Sequence, residues 1–202
     1  MRCCIFYQWY QQIKKWGIIL DANIIIEKIK LENCMPDLLS DFNRYQEVKR
    51  CWRKENGEWQ LKDIAFVENW DDERKQNEVE DFIRCIESGG VVLGAYEDST
   101  LIGFSSIKNH LFGRRGDYIR LEMLHVSFEF RNKGIGKQLF IQICESAKML
   151  GAKKLYITAH SSEETQAFYN AVGCRETLEL NQSFYEKEPF DCHIEYDLYR
   201  SL

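Results

Sequence analysis

The chain has 202 residues, 45% of them hydrophobic and 29% charged, with a formal net charge of −5. That size and composition suit one globular domain, or one domain with an appendage, with core enough to fold without disulfides or metal, and they argue against disorder. The negative balance argues against a uniformly basic nucleic-acid binder, and two prolines rule out a proline-rich linker.

Residues 1–22 read as an N-terminal extension and 23–202 as the domain. In the extension Phe6, Trp9, Ile13, Trp16 and Leu20 recur at spacings of three and four, with Gln8, Gln11, Gln12 and Lys15 between them. This is an amphipathic helical stripe. Such a stripe docks on its own domain or on a twin subunit more often than on a membrane surface. A strand follows over Ile24–Leu31, then a helix begun by Pro36 with Leu38, Leu39 and Phe42 on its apolar face. Residues 44–64 show no clean period. A charge-dense stretch, Glu68–Asp81, leads into a helix carrying Val79, Phe82, Ile83 and Ile86 that stops at Gly89-Gly90.

Val91–Tyr96 and Leu101–Ile107, around the turn Glu97-Asp98-Ser99, read as a hairpin, and Tyr118–Val126 as another strand. A helix with Ile135, Leu139, Phe140, Ile143, Ala147 and Leu150 on one face ends at Gly151. Strand Lys154–Ala159, helix Glu163–Val172 and two strand-like pieces, Arg175–Leu180 and His193–Tyr199, complete the order. The connection Asn181–Asp191, with Phe184, Tyr185, Glu186, Glu188 and Phe190, is long enough for a wall or lid. No apolar run reaches membrane-span length, and the N-terminus lacks the pattern of a secretory signal. The eight cysteines form no C-x-x-C or metal-type spacing and read as buried thiols in a reducing, cytoplasmic setting.

Chemistry concentrates where strand Tyr118–Val126 enters a loop, Phe130-Arg131-Asn132-Lys133-Gly134-Ile135-Gly136-Lys137, that opens directly into a helix. Two glycines let the backbone approach a ligand closely. Free amides and the helix dipole make an anion nest, to which Arg131, Lys133 and Lys137 add full charges. A P-loop would need G-x-x-x-x-G-K-[ST], and a Rossmann fingerprint would need a third glycine where Leu139 stands. A phosphate or pyrophosphate group is the ligand this loop suits.

These residues, with Leu124-His125-Val126 before them and Phe168-Tyr169-Asn170-Ala171-Val172-Gly173 after them, resemble the acetyl-coenzyme A signature of the GNAT superfamily of N-acetyltransferases. The resemblance runs from about Ile24 to Leu198 and is strongest over Leu121–Cys174. It implies a single α/β domain whose mixed, mainly antiparallel twisted sheet is flanked by helices. It implies acetyl-CoA as cosubstrate, held by the main chain of Leu124 and Val126, by the amides from Arg131 through Asn132, Lys133, Gly134, Ile135 and Gly136 to Lys137, and by Ser162, where the family often has asparagine. The strand before the loop would splay from its neighbour to admit the pantetheine arm. Acetyl would pass directly to a primary amine, of a small molecule or a peptide, with Tyr169 as the acid that protonates the leaving thiolate.

For the base, period-two alternation puts Glu122 on the face of Leu124 and Val126. Glu122 could equally bind substrate or pair with Arg120 or a lysine. His160 is a second candidate base, while His125 and His193 read as structural. A non-catalytic acyl-CoA sensor on the same fold, and an interaction protein using residues 1–20, are the rival readings.

Overall fold

The computed structural model describes residues 23–199. The amphipathic stripe of the N-terminal extension, with Cys3 and Cys4, lies outside the described residues. The other six cysteines are buried free thiols. No described helix is long and apolar enough to cross a membrane.

Among the described residues, nine strands and four α-helices follow in chain order. They are β1 (Ile24–Lys28), β2 (Gln46–Glu55), β3 (Glu58–Glu68), α1 (Asp72–Glu87), β4 (Val91–Glu97), β5 (Thr100–Phe112) and β6 (Tyr118–Val126). Then come α2 (Ile135–Met149), β7 (Lys154–Ala159), α3 (Glu163–Val172), β8 (Arg175–Glu176), α4 (Gln182–Lys187) and β9 (Cys192–Asp197). Seven strands form one sheet in the order β1-β4-β5-β6-β7-β9-β8, antiparallel throughout except for the parallel pair β6–β7.

The two sheet faces carry separate cores, as alternation of side chains requires. Leu93, Ile102, Ile107, Ile119 and Leu121 meet Ile135, Leu139 and Ile143 of α2 on one face. Val92, Leu101 and Phe104 meet Val79, Phe82 and Cys85 of α1 on the other. From Asp72 onward the charge-dense stretch is itself helical. Asp71 caps it by accepting the Arg74 amide at 2.8 Å, and acidic residues fill its first turn, where the helix dipole favours them.

Several expectations change. The segment after Pro36 is a run of tight turns (Leu38 to Met35, Ser40 to Asp37, Phe42 to Leu39) rather than a helix. Leu39 and Phe42 are buried all the same, because packing needs only their placement. The strand expected over Arg175–Leu180 shrinks to two residues, and the first strand stops at Lys28. Residues 44–64, which show no clean period, fall mostly in a two-stranded ribbon, β2–β3, outside the main sheet. It is tied on by a single bridge between Cys51 and Ser162, by Trp52 N–H donating to the Ser161 carbonyl at 2.8 Å, and by a bidentate Arg50–Glu163 pair. The ribbon therefore lies across the end of β7 and the start of α3. The connection after Asn181 forms α4, anchored by Phe184 against Phe112 and Tyr156 and by the Arg120 guanidinium 4.4 Å over the Phe184 ring.

Candidate active site

Strands β6 and β7 pair only from Tyr118 opposite Lys154 to Leu121 opposite Ile157. Beyond that point β6 stays with β5 as far as Val126, and β7 continues against β9 as far as Ala159. The two parallel strands thus splay, and a cleft of about 930 Å³ opens between them. Its lining includes Leu124, Val126, Arg131, Asn132, Gly134, Gly136, Lys137, Phe168 and Tyr169, which the chain brings from four separate elements.

At one end of the cleft stands the glycine loop. Asn132 and Gly134 adopt positive φ (62° and 83°), and Gly134 is the N-cap of α2 without any side-chain cap. The first helical hydrogen bond runs from the Gln138 amide to the Gly134 carbonyl at 3.1 Å. The amides of Asn132, Lys133, Gly134, Ile135 and Gly136 have no main-chain acceptor among the described residues, so they remain available to an anion. A Cβ at Gly136 would sit 3.5 Å from Phe168, 3.6 Å from Val126 and 3.8 Å from Leu124, all cleft residues. The bare backbone there keeps the cleft open. The Arg131 Nε donates to the Val126 carbonyl at 3.1 Å, so this arginine braces the loop against the strand end as well as adding charge.

Of the expected ligand residues, Ile135 and Lys133 keep only their amides toward the loop, and Ser162 sits away from the cleft. The Ile135 side chain is in the core, leaving only its amide for a ligand. Lys133 lies with its Nζ 4.7 Å from the centre of the Phe130 ring. Ser162 is buried and occupied as the N-cap of α3. It accepts the Thr165 amide at 3.3 Å, donates to the Thr165 hydroxyl and accepts from Gln46. Ser162 lines a smaller side cavity against β2 and not the main cleft.

Tyr169 lines the cleft with its ring packed on Phe140 and Phe168. Burial, then the neighbouring Cys174 and Asp191, raise its phenol well above the ordinary range, so it holds its proton at neutral pH.

The rest of the cleft lining mixes the acids Glu68, Glu122 and Asp191 with Trp70, Arg44 and Arg74. Glu122 lines the cleft, but not on the face alternation predicts. Opposite Ser106 and Ile107 stand Met123 and Leu121, so Glu122 is the extra residue of a β-bulge. The bulge resets the alternation: Leu124 and Val126 join the α2 core, while Met123 packs on the α1 core. The Glu122 carboxylate lies 3.8 Å from Lys108 and 3.9 Å from Arg120.

His125 stacks edge-on against Trp70 and Phe104, and burial holds its imidazole neutral. The His160 Nδ1 accepts the Ser162 amide at 3.2 Å, which assigns the proton to Nε2, facing Glu68 at 3.8 Å. Neither ring nitrogen is a free base, so the candidate base role for His160 is set aside. His193 is buried against Tyr156 at 2.8 Å, a strand residue as expected.

Sequence reasoning missed Glu68, Trp70, Arg44 and Asp191, all on the cleft. Arg44 donates to Glu68 at 3.1 Å and lies 5.7 Å from the centre of the Trp70 ring. The first three follow from the unread ribbon and its flanks. Asp191 arrives from the α4 connection, and no spacing signals it. Its carboxyl is pushed up to about 6 by burial, then by Glu188 and Glu68, against Arg120 and Arg53.

The chain resembles solved acetyltransferase structures along most of its length. Nourseothricin acetyltransferase superposes with a TM-score of 0.63 at 13% identity, over 88% of this chain and 99% of that one. A putative streptothricin acetyltransferase from Bacillus anthracis str. Ames, in complex with acetyl coenzyme A, gives 0.62 at 16%, over the same shares. Aminoglycoside 6'-acetyltransferase type Ii gives 0.58 at 16%, again over 88% and 99%. At these identities the likeness is one of fold. No curated protein sequence matches the chain. The family described as Acetyltransferase (GNAT) matches residues 45–174, which span the ribbon, the splayed strands, the glycine loop and α3. The chain belongs to the GNAT acetyltransferase family.

Proposed function

We propose that this protein transfers acetyl from acetyl-CoA directly to a primary amine of a cationic small molecule. The splay of β6 and β7 above an anion-binding loop carries the reading. It offers a slot for an extended thioester arm, with unsatisfied amides at one end for its pyrophosphate. Arg131 and Lys137 on the cleft add positive charge at the same end.

The opposite end supports a cationic acceptor. Glu68, Glu122 and Asp191 line it, and their carboxylates suit an ammonium group. A carboxylate wall also draws a cation toward the cleft. Tyr169, neutral and on the cleft, is the acid that returns a proton to the leaving thiolate. Glu122, flanked by Lys108 and Arg120, holds the acceptor by charge. Solved relatives named for nourseothricin, streptothricin and aminoglycosides fit an acceptor with several amines.

The test is free-thiol release from acetyl-CoA with a panel of nourseothricin, an aminoglycoside, spermidine and a lysine-containing peptide. Thiol release above hydrolysis with at least one member is the expected result. A rise in melting temperature with acetyl-CoA but no amine-dependent release would favour a cofactor sensor instead.

A further inference from the structure

A primary ammonium must lose a proton before its nitrogen can attack, and the cleft must supply the group that takes it. The identity of that group rests on the proposed acetylation of an amine. The cleft carboxylates differ in what already holds them. Glu68 accepts from Arg44 and faces His160. Glu122 lies between Lys108 and Arg120. Glu164 is in the first turn of α3, where its charge acts on Arg131 of the glycine loop.

Asp191 stands apart from all three. Its amide donates to the Glu188 carbonyl at 3.1 Å, fixing the turn that ends the α4 connection. The next residue, Cys192, pairs with Ala159 at the end of β7, the strand that leaves β6 at the splay. Asp191 is thereby set on the cleft wall between this turn and the start of β9. Among the described residues no lysine, arginine or histidine lies within ion-pair distance of it. It shares the cleft with Tyr169, close enough for its charge to act on the phenol.

We propose that Asp191 is the base that removes the proton from the acceptor ammonium. In the step this implies, the nitrogen gives one proton to the Asp191 carboxylate, and its freed lone pair bonds to the thioester carbonyl carbon. The carbon–sulfur bond then breaks, with its electron pair leaving on sulfur. Tyr169 protonates that thiolate, the nitrogen passes its second proton to solvent water as the amide forms, and exchange with solvent restores both side chains. The balance is one amide, one free thiol and one released proton.

The groups facing Asp191 are Glu68 from β3, Glu188 from the α4 connection, Arg120 from β6 and Arg53 from β2. Burial with the two acids outweighs the two arginines and sets ionisation at about 6. The base is therefore competent above that pH and lost below it.

The experiment measures steady-state kinetics of the full chain with the fastest panel amine, from pH 5 to 9. Asp191→Asn is expected to lower kcat roughly 100-fold or more at pH 7 while leaving the KM for acetyl-CoA unchanged. It is also expected to abolish the rise in kcat/KM centred near pH 6, with Asp191→Glu restoring part of the rate. Acetyl-CoA thermal shifts verify that the variant is folded, and Asp191→Ser substitutes for it if it is not. A variant that keeps the native kcat and the pH 6 limb overturns the Asp191 assignment alone. A native protein that binds acetyl-CoA yet acetylates no panel amine overturns the functional reading, and this assignment with it.

Discussion

Tyr169 and Asp191 meet the same cleft with opposite requirements, one keeping a proton and the other shedding it. Burial favours the neutral form of both. For the phenol this is the working state. Removing its hydroxyl in Tyr169→Phe is expected to cut kcat about 100-fold with acetyl-CoA affinity retained, read from kcat and a direct binding isotherm. For Asp191 the same burial opposes the working state, so function costs stability. Its folded pKa lies above its unfolded value, so the native state binds the extra proton between about pH 4 and 6. Stability is then lost as pH rises through that window. Asp191→Asn is expected to be more stable than the native chain at pH 7 by roughly 1–2 kcal/mol, with the difference gone below pH 4. Denaturant melts at the two pH values check this.

At the scale of elements, the glycine loop makes two separable demands. Gly134 needs its left-handed backbone, and Gly136 needs its missing side chain. Gly134→Ala is expected to lose about 1–2 kcal/mol of stability, since a Cβ strains φ 83°. Gly136→Val is expected to remain folded and lose acetyl-CoA binding, because its branches would stand in the cleft between Phe168 and Val126.

Helices α2 and α3 were legible because each buries one face, so its period survives in the sequence; β6 and β7 show as short apolar runs, and the loop shows by its glycines and basic residues. The strands of the ribbon β2–β3 were not legible. In β2 the buried residues Gln46, Val48 and Cys51 are thrown out of alternation by a register shift after Val48, and β3 has no buried residue, so no clean period marks them. Glu122 shows the limit of the same logic, because a bulge moved its carboxylate off the expected face without any turn residue to announce it. Ser162 was expected as a ligand, but the ribbon that covers it was unread, and its hydroxyl is taken up in capping α3. Asp191 had no periodic context at all.

Across the whole molecule, the charge separates by position rather than by sequence. Residues 131–154 hold six basic residues and one acid. Folding splits that group. Arg131, Lys133 and Lys137 stay near the glycine loop, while Lys148 pairs with Glu145, Lys153 with Asp117 and Lys154 with Glu195. The last pair belongs to a structural hub. Glu195 is fully buried and accepts from Tyr118, Lys154, Arg175 and the Leu178 amide. Burial alone would raise its carboxyl, but those bonds reverse the effect and hold it at about 2. Its folded pKa is depressed, so its stabilisation is present above about pH 4.5 and disappears as pH falls toward 2. Glu195→Gln is expected to cost about 2–3 kcal/mol at pH 7, less than a fully buried pair because Arg175 is half exposed. Acid unfolding curves would show the two proteins converging at low pH.

The most direct trial of the account is to detect the acetylated amine by mass after incubation with acetyl-CoA and the panel, using the native chain and Gly136→Val side by side. Amide product is expected from the native chain and none from the folded variant. Equal product from both would contradict the placement of the donor over the glycine loop, and no product from an acetyl-CoA-bound native chain would contradict the transfer itself.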